Sequence, residues 1–145
     1  DLLMANTGPA VGLLYDAGHM AFAGGNVIAT IAKHGPRINH VHTKDIRADV
    51  VSNLDRESES FLDAVLKGAY TVPGDGSLDF GQIIQTLADI GYEGWFIVEA
   101  EQDPVKAPPF EYAKIGHRAL TKALTAAGYT IESEPWDSLK AKSPS

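Results

Sequence analysis

Three side chains able to bind a metal ion stand at the ends of apolar runs in this sequence. Asp16 follows the run VGLLY, His42 ends the run INHVH, and Glu99 closes the apolar part of GWFIVEA. Burying a carboxylate at the end of such a run is costly unless a cation or a hydrogen-bond donor compensates its charge. Oxygen ligands with one imidazole suit Mn²⁺, Mg²⁺, Co²⁺ or Fe²⁺ better than a structural zinc ion. Together these residues predict a divalent metal centre.

Each of these residues also has a purely structural explanation. Asp16 could cap a turn, and a lone strand histidine more often satisfies a structural hydrogen bond than binds a ligand. His40 and His42 share one face of their strand because they are two positions apart, but only His42 is expected to reach a site. Glu101 lies two positions after Glu99, so both side chains point to the same side of an extended chain. Glu101 is either a neighbour of the metal ligands or a surface residue. The coincidence of three strand ends favours the metal centre.

The elements that must position these residues alternate along the chain. Apolar runs begin near residues 11, 38, 69 and 95, and this spacing of about 25 to 30 residues is that of one β/α unit with its crossover. Helical periodicity follows each run, with Asn26 and Asp79 as predicted N-caps. The predicted helix stops are Gly35, Gly68, Gly91 and Gly128.

Alternating strands and helices predict an α/β fold with a parallel sheet. Because the polar residues gather at the carboxyl ends of the strands, as in a (β/α)₈ TIM barrel, we predict four consecutive β/α units. A whole barrel needs about 250 residues, so residues 1–130 would form its C-terminal half. The chain opens on Asp1 with a stretch typical of a helix end, which favours a fragment, and residues 131–145 lose the apolar period and are predicted to be a peripheral tail.

Composition and net charge limit the classes of partner that this chain is expected to bind. The net charge is −7 and the pI is about 5.1, which disfavours nucleic acid and anionic membranes because their phosphates attract clustered lysine and arginine. The chain has no cysteine, so a metal site must use histidine and carboxylates. No apolar run approaches the roughly 18 residues of a membrane span. We therefore expect a cytoplasmic protein with a small-molecule substrate.

Longer stretches show a family resemblance. The segments GLLYDAGHMAFAGG, RINHVHTKDIR, FLDAVLKGAYTVPGDGSLDF and GWFIVEAEQDPVKAPPFEYAKIGHRAL resemble the C-terminal half of the inosose dehydratases of myo-inositol catabolism. These enzymes belong to the xylose-isomerase-like sugar phosphate isomerase/epimerase superfamily of TIM barrels. The resemblance covers residues 1–129, and the motifs are specific in combination. The family's DTGH stands here as DAGH, with Ala17 replacing threonine, which puts one neighbouring hydrogen bond in doubt but leaves the aspartate.

The resemblance implies a metal set and a reaction. Superfamily members hold a divalent metal with Glu, Asp, His and Glu from successive strand ends. These positions match Asp16, His42 and Glu99, with the remaining Glu in the missing half. Manganese or cobalt is the expected metal, with magnesium, iron and zinc as further candidates. The implied reaction is loss of water from 2-keto-myo-inositol (scyllo-inosose) to give a trihydroxycyclohexanedione.

The resemblance also suggests roles for four neighbouring residues. His19 is a candidate for proton transfer or substrate contact, and Lys44 for stabilising negative charge on a substrate oxygen. Arg47 and Glu101 are the predicted substrate-binding residues. Lys44 and Arg47 would equally be ordinary surface cations.

The same residues are compatible with two further functions, and the predicted half-barrel suggests how the chain associates. A sugar isomerase or epimerase of the superfamily would share the metal and return the proton instead of expelling hydroxide. An inactive half-barrel would only bind. Because a half-barrel leaves sheet edges and an apolar face uncovered, we expect it to associate with the missing N-terminal half or with itself.

Overall fold

The computed structural model describes residues 1–131, so all but the first residue of the predicted tail lies outside the described residues. The strands are β1 (Leu13–Asp16), β2 (Ile38–His42), β3 (Asp45–Ile46), β4 (Tyr70–Thr71) and β5 (Phe96–Ile97). The helices are α1 (Leu2–Ala5), α2 (Ala17–Phe22), α3 (Val27–His34), α4 (Ala48–Ser52), α5 (Phe61–Leu66), α6 (Phe80–Asp89) and α7 (Pro109–Ala126), and a 3₁₀ turn spans Gly35–Arg37.

A parallel sheet of three strands forms the centre of the fold, in the order β1, β2, β5. Its register aligns Asp16 with His42 and His42 with Ile97. Parallel strands end at the same edge of a sheet, so the residues that close β1 and β2 become neighbours, and the segment after β5 leaves from the same edge. The predicted α/β class with parallel strands is confirmed.

Helices cover one face of this sheet. Tyr15 and Val41 are paired in register and buried, and they pack with residues of α3, α6 and α7 in the main core. The other face carries Asp16 and His42, because side chains of neighbouring positions point to opposite faces. Leu14 on that second face remains 48% exposed. Within residues 1–131, the face that bears the predicted ligands is therefore open.

One predicted strand does not join the parallel sheet. The run near Tyr70 was expected to be a third parallel strand, but β4 pairs antiparallel with β3 in a separate two-stranded sheet. The position beside β2 is taken by β5, which Thr43 fastens through its N–H and its hydroxyl to the carbonyl of Ile97, both at 2.8 Å. The expectation that this third strand would be parallel is wrong, and the described residues contain three parallel strands.

The predicted helix starts are confirmed. Asn26 accepts a hydrogen bond from the N–H of Ala29, and Asp79 accepts one from Gln82, which satisfies N–H groups that have no partner within the first turn. The short helix α2 was not anticipated, because six residues carry too little periodicity to signal a helix. Among residues 1–131, no helix has the length and apolar character that crossing a membrane requires.

Candidate metal centre

Asp16, His42 and Glu99 converge at the carboxyl edge of the parallel sheet. One potential ligand atom from each residue lies within 4.8 Å of the other two. Nδ1 of His42 is 2.7 Å from Oε2 of Glu99 and 3.6 Å from Oδ2 of Asp16. The sequence separates these residues by 26 and 57 positions (16 to 42, 42 to 99), so only the shared strand edge brings them together.

The two oxygens of Asp16 have different surroundings. Oδ1 caps helix α2 by accepting a hydrogen bond of 2.8 Å from the N–H of His19. Oδ2 faces His42 and the ammonium group of Lys44, each at 3.6 Å. The capping role that the sequence offered as an alternative is therefore present, and it fixes the carboxylate so that its second oxygen faces the centre.

Lys44 is the cation of this cluster. Its side chain is only 1% exposed, and Nζ lies 2.5 Å from Oε2 of Glu101, 3.3 Å from Oε2 of Glu99 and 3.6 Å from Oδ2 of Asp16. Gly18 makes this position accessible, because a Cβ there would lie 2.6 Å from Cγ of Lys44. The glycine of the DAGH motif thus leaves room for the lysine's aliphatic stem.

His19 and Glu101 form the outer side of the cluster. Nε2 of His19 lies 2.8 Å from Nζ of Lys44 and 3.3 Å from Oε1 of Glu101. An ammonium group can only donate, so neutral His19 accepts from Lys44, whereas protonated His19 would pair with Glu101. The His19 side chain is 44% exposed, and its ring packs edge-on against Tyr70 with a centroid distance of 5.2 Å. Nε2 of His19 thus has a donor and an acceptor within reach, and the side chain that carries it is partly exposed to solvent.

The donor set fits a divalent cation. Three carboxylates, Asp16, Glu99 and Glu101, face one ammonium group, so with neutral histidines the cluster carries a formal charge of −2. Oε2 of Glu99 is buried and makes no hydrogen bond of acceptable geometry, although His42 and Lys44 lie within ion-pair distance. Such an oxygen is strongly stabilised by a bound cation. Two carboxylates and an imidazole are donors that manganese, cobalt and magnesium all accept.

Arg47 lies apart from this cluster. Its guanidinium donates to the carbonyls of Gly68 and Tyr70 at 2.8 and 3.3 Å, and it pairs with Oδ2 of Asp75 at 2.5 Å. A cavity of about 230 Å³ lies beside it and is lined by none of the three potential ligands. The structure therefore brings together six of the seven predicted site residues, and the substrate contact predicted for Arg47 stays a prediction.

Several neighbours of the site carry no signal in the sequence. Thr43 ties β2 to β5 between His42 and Lys44, and Tyr70 packs beneath the site with its side chain fully buried. Burial, followed by the nearby charges of Glu101 and Asp16, raises the pKa of Tyr70 to about 12. The Tyr70 hydroxyl has no hydrogen-bond partner in the described structure. The apolar run containing Tyr70 predicts burial, but its pairing with β3 is what places the ring under His19.

Sequence comparison relates the chain to known proteins. Residues 2–129 match the family described as xylose isomerase-like TIM barrel. The chain is 52% identical over 133 residues to the rhizopine catabolism protein MocC of Rhizobium meliloti, covering 92% of this chain and 41% of that protein. It is 53% identical over 114 residues to the inosose dehydratase of Geobacillus thermodenitrificans and 54% identical over 114 residues to that of Clostridium tetani, in both cases covering 78% of this chain and 38% of the relative.

The chain spans about two fifths of the length of these relatives. The family match covers nearly all the described residues, and the parallel strands with polar residues at their carboxyl ends are those of a partial barrel. This chain therefore belongs to the xylose isomerase-like TIM barrel family.

Proposed function

We propose that this chain supplies the metal centre of a hydro-lyase that removes water from a keto-inositol, with scyllo-inosose as the substrate. The observation that carries the proposal is the convergence of Asp16, His42 and Glu99 at one edge of the sheet. The names of two of the relatives, inosose dehydratases at 53% and 54% identity, support the choice of reaction.

Asp16, His42 and Glu99 would hold the cation, with manganese or cobalt as the proposed metal. When bound there, a divalent cation supplies Lewis-acid stabilisation of negative charge on a ketone oxygen. Lys44 adds a fixed positive charge beside the carboxylate oxygens of Asp16 and Glu99. Because its side chain is buried and its stem is packed against Gly18, the ammonium group is pre-positioned and loses little freedom when charge develops.

Water leaves in two parts, as a proton from the carbon next to the ketone and as hydroxide from the following carbon. The resulting enol becomes the second ketone of the dione. His19 is the proposed proton-transfer group, because Nε2 lies on the exposed side of the cluster between a donor and an acceptor. Glu101 is proposed to accept hydrogen bonds from substrate hydroxyls while Lys44 neutralises its charge.

The exposed face of the parallel sheet is expected to be covered by further protein, because it carries exposed apolar side chains. We propose that the remaining strands of the barrel cover the face that exposes Leu14 and contribute the fourth ligand, a carboxylate. Trp95, just before β5, is 74% exposed, and exposed large apolar side chains favour an interaction surface. A cytoplasmic location is part of this proposal. Light scattering of the isolated chain tests the proposed association. A stable monodisperse monomer at working concentration would contradict the need for a partner or for self-association.

Metal binding is best tested with Asp16→Asn. Asparagine keeps the side-chain oxygen that caps α2 but removes the charge that faces His42 and Lys44. We expect Mn²⁺ to stabilise the wild type by about 2.7 kcal/mol at a hundredfold excess over Kd, and the variant much less. Thermal unfolding with and without Mn²⁺ measures both.

Asp79→Asn is the matched control, because Asp79 caps α6 in the same way and is not part of the cluster. This variant should retain the full Mn²⁺ effect. Equal stabilisation of wild type and Asp16→Asn would refute the metal centre, and analysis of the product formed by the complemented enzyme would separate dehydration from isomerisation.

A further inference from the structure

Thr71 is fully buried in β4, and its hydroxyl uses all of its hydrogen-bonding capacity. It donates to Oδ2 of Asp75 at 2.7 Å, and it accepts from Nη2 of Arg47 at 3.1 Å and from Nε2 of Gln102 at 3.2 Å. One donor and two acceptor positions are what a hydroxyl offers. From this arrangement we propose that Thr71 is a positioning residue that holds Glu101 at the site. The inference rests on the proposed function.

The three partners of Thr71 belong to three different segments. Arg47 precedes α4 and also bonds the carbonyls of Gly68 and Tyr70, Asp75 lies in the PGDG turn, and Gln102 follows β5. Arg47 and Asp75 also pair directly at 2.5 Å. A hydrogen-bond network around a fully buried and satisfied hydroxyl rigidifies its surroundings. Thr71 therefore joins the β3–β4 pair to the loop that carries the glutamates.

The loop after β5 depends on this link. Residues 99–102 lie in no helix or strand, and none of the described backbone hydrogen bonds outside regular elements involves them. The Gln102 amide is thus the side-chain anchor next to Glu101, whose carboxylate reaches Lys44 and His19 at 2.5 and 3.3 Å. Without this anchor, Glu101 would be held only through its own carboxylate, by Lys44 and His19.

This assignment gives a role to Arg47 and Asp75, which are not among the three potential metal ligands. Their ion pair is only partly buried, with side-chain exposures of 26% and 32%, and isolated surface pairs contribute little to stability. Their shared contact with a fully buried hydroxyl instead sets the direction of that hydroxyl. The network acts on substrate positioning through Glu101 and leaves the three metal ligands unchanged.

The test compares Thr71→Val, which removes the hydroxyl at constant shape, with Thr71→Ser, which keeps it. Backbone ¹⁵N order parameters of residues 101 and 102 should lie near about 0.85 in the wild type and fall below about 0.6 in Thr71→Val. They should recover in Thr71→Ser. Gln102→Met removes the other end of the link and should reproduce the loss if Thr71→Val folds poorly. Thr86→Val is the control, because the Thr86 hydroxyl bonds only the carbonyl of Gln82 within α6.

A Mn²⁺ titration of the same variants separates the two hypotheses. Mn²⁺ affinity should change less than about threefold in Thr71→Val, because Glu99 keeps its contacts with His42 and Lys44 and the substitution touches none of the three ligands. Absence of Mn²⁺ binding by the wild type would overturn the proposed function. Rigid residues 101 and 102 in both Thr71→Val and Gln102→Met would overturn the role of Thr71 alone.

Discussion

Replacing Lys44 by methionine should tighten metal binding while it weakens the metal-free fold. Nζ of Lys44 lies 3.3 and 3.6 Å from the two carboxylate oxygens that would bind the cation. A cation bonded to those oxygens at about 2.2 Å would stand about 5 Å from the ammonium group. Lysine and the metal would then compete for the same negative charge.

Coulomb's law gives the size of this effect. A charge of +1 and a charge of +2 separated by about 5 Å repel by about 2 kcal/mol at the dielectric constant of water and by about 7 kcal/mol at an effective value of 20. Asp16 and Glu99 are 10% and 35% exposed, so solvent screening favours the smaller figure. An energy of about 2 kcal/mol corresponds to a Kd for Mn²⁺ at least about tenfold lower in Lys44→Met.

The metal-free variant should be less stable, because Asp16, Glu99 and Glu101 would lose the buried cation that compensates them. Breaking a buried ion pair costs about 3–5 kcal/mol, and the partial exposure of the carboxylates reduces this to about 1–3 kcal/mol. Isothermal titration calorimetry with Mn²⁺ and thermal unfolding without metal measure the two effects. Lys114→Met, which removes an exposed partner of Glu111 on α7, should change neither. Weaker Mn²⁺ binding by Lys44→Met would refute the proposed competition.

Three further predictions concern packing and pH. Gly18→Ala should cost about 1–3 kcal/mol of unfolding free energy, because its Cβ would meet the Lys44 stem at 2.6 Å, whereas Gly8→Ala, with open space around Gly8, should be nearly neutral in the same denaturation experiment. Leu87→Ala should destabilise by about 2–5 kcal/mol in urea unfolding, since Leu87 is fully buried between the sheet and helices; a loss below about 1 kcal/mol would place it outside the core. Burial raises the pKa of Asp45 above 3.8, against the opposing effect of backbone N–H donors, so its contribution to stability is greatest below that value and is lost as the pH rises through the folded-state pKa. The difference in unfolding free energy between wild type and Asp45→Asn should therefore shift in favour of the variant from pH 4 upward, and a pH-independent difference would contradict the raised pKa.

The capped starts of α3 and α6 were predictable because their signals are local. Asn26 and Asp79 cap helices where side-chain oxygens precede an apolar period, and their N–H partners lie three residues ahead in the same chain. The parity that places His42 on one face also follows from two-residue alternation. The convergence of Asp16 and Glu99 on His42 was predictable for a related reason, since parallel strands share an edge.

Pairing between distant segments was decided by the tertiary structure alone. The run containing Tyr70 and Thr71 has the composition of a central strand, but the direct contact of β5 with β2 excludes it from the parallel sheet and leaves β3 as its partner. The same pairing gathers the partners of Thr71 from three segments, among them the guanidinium of Arg47. Residue type and spacing determine which groups could do chemistry, whereas the choice between competing long-range contacts depends on packing that no local pattern records.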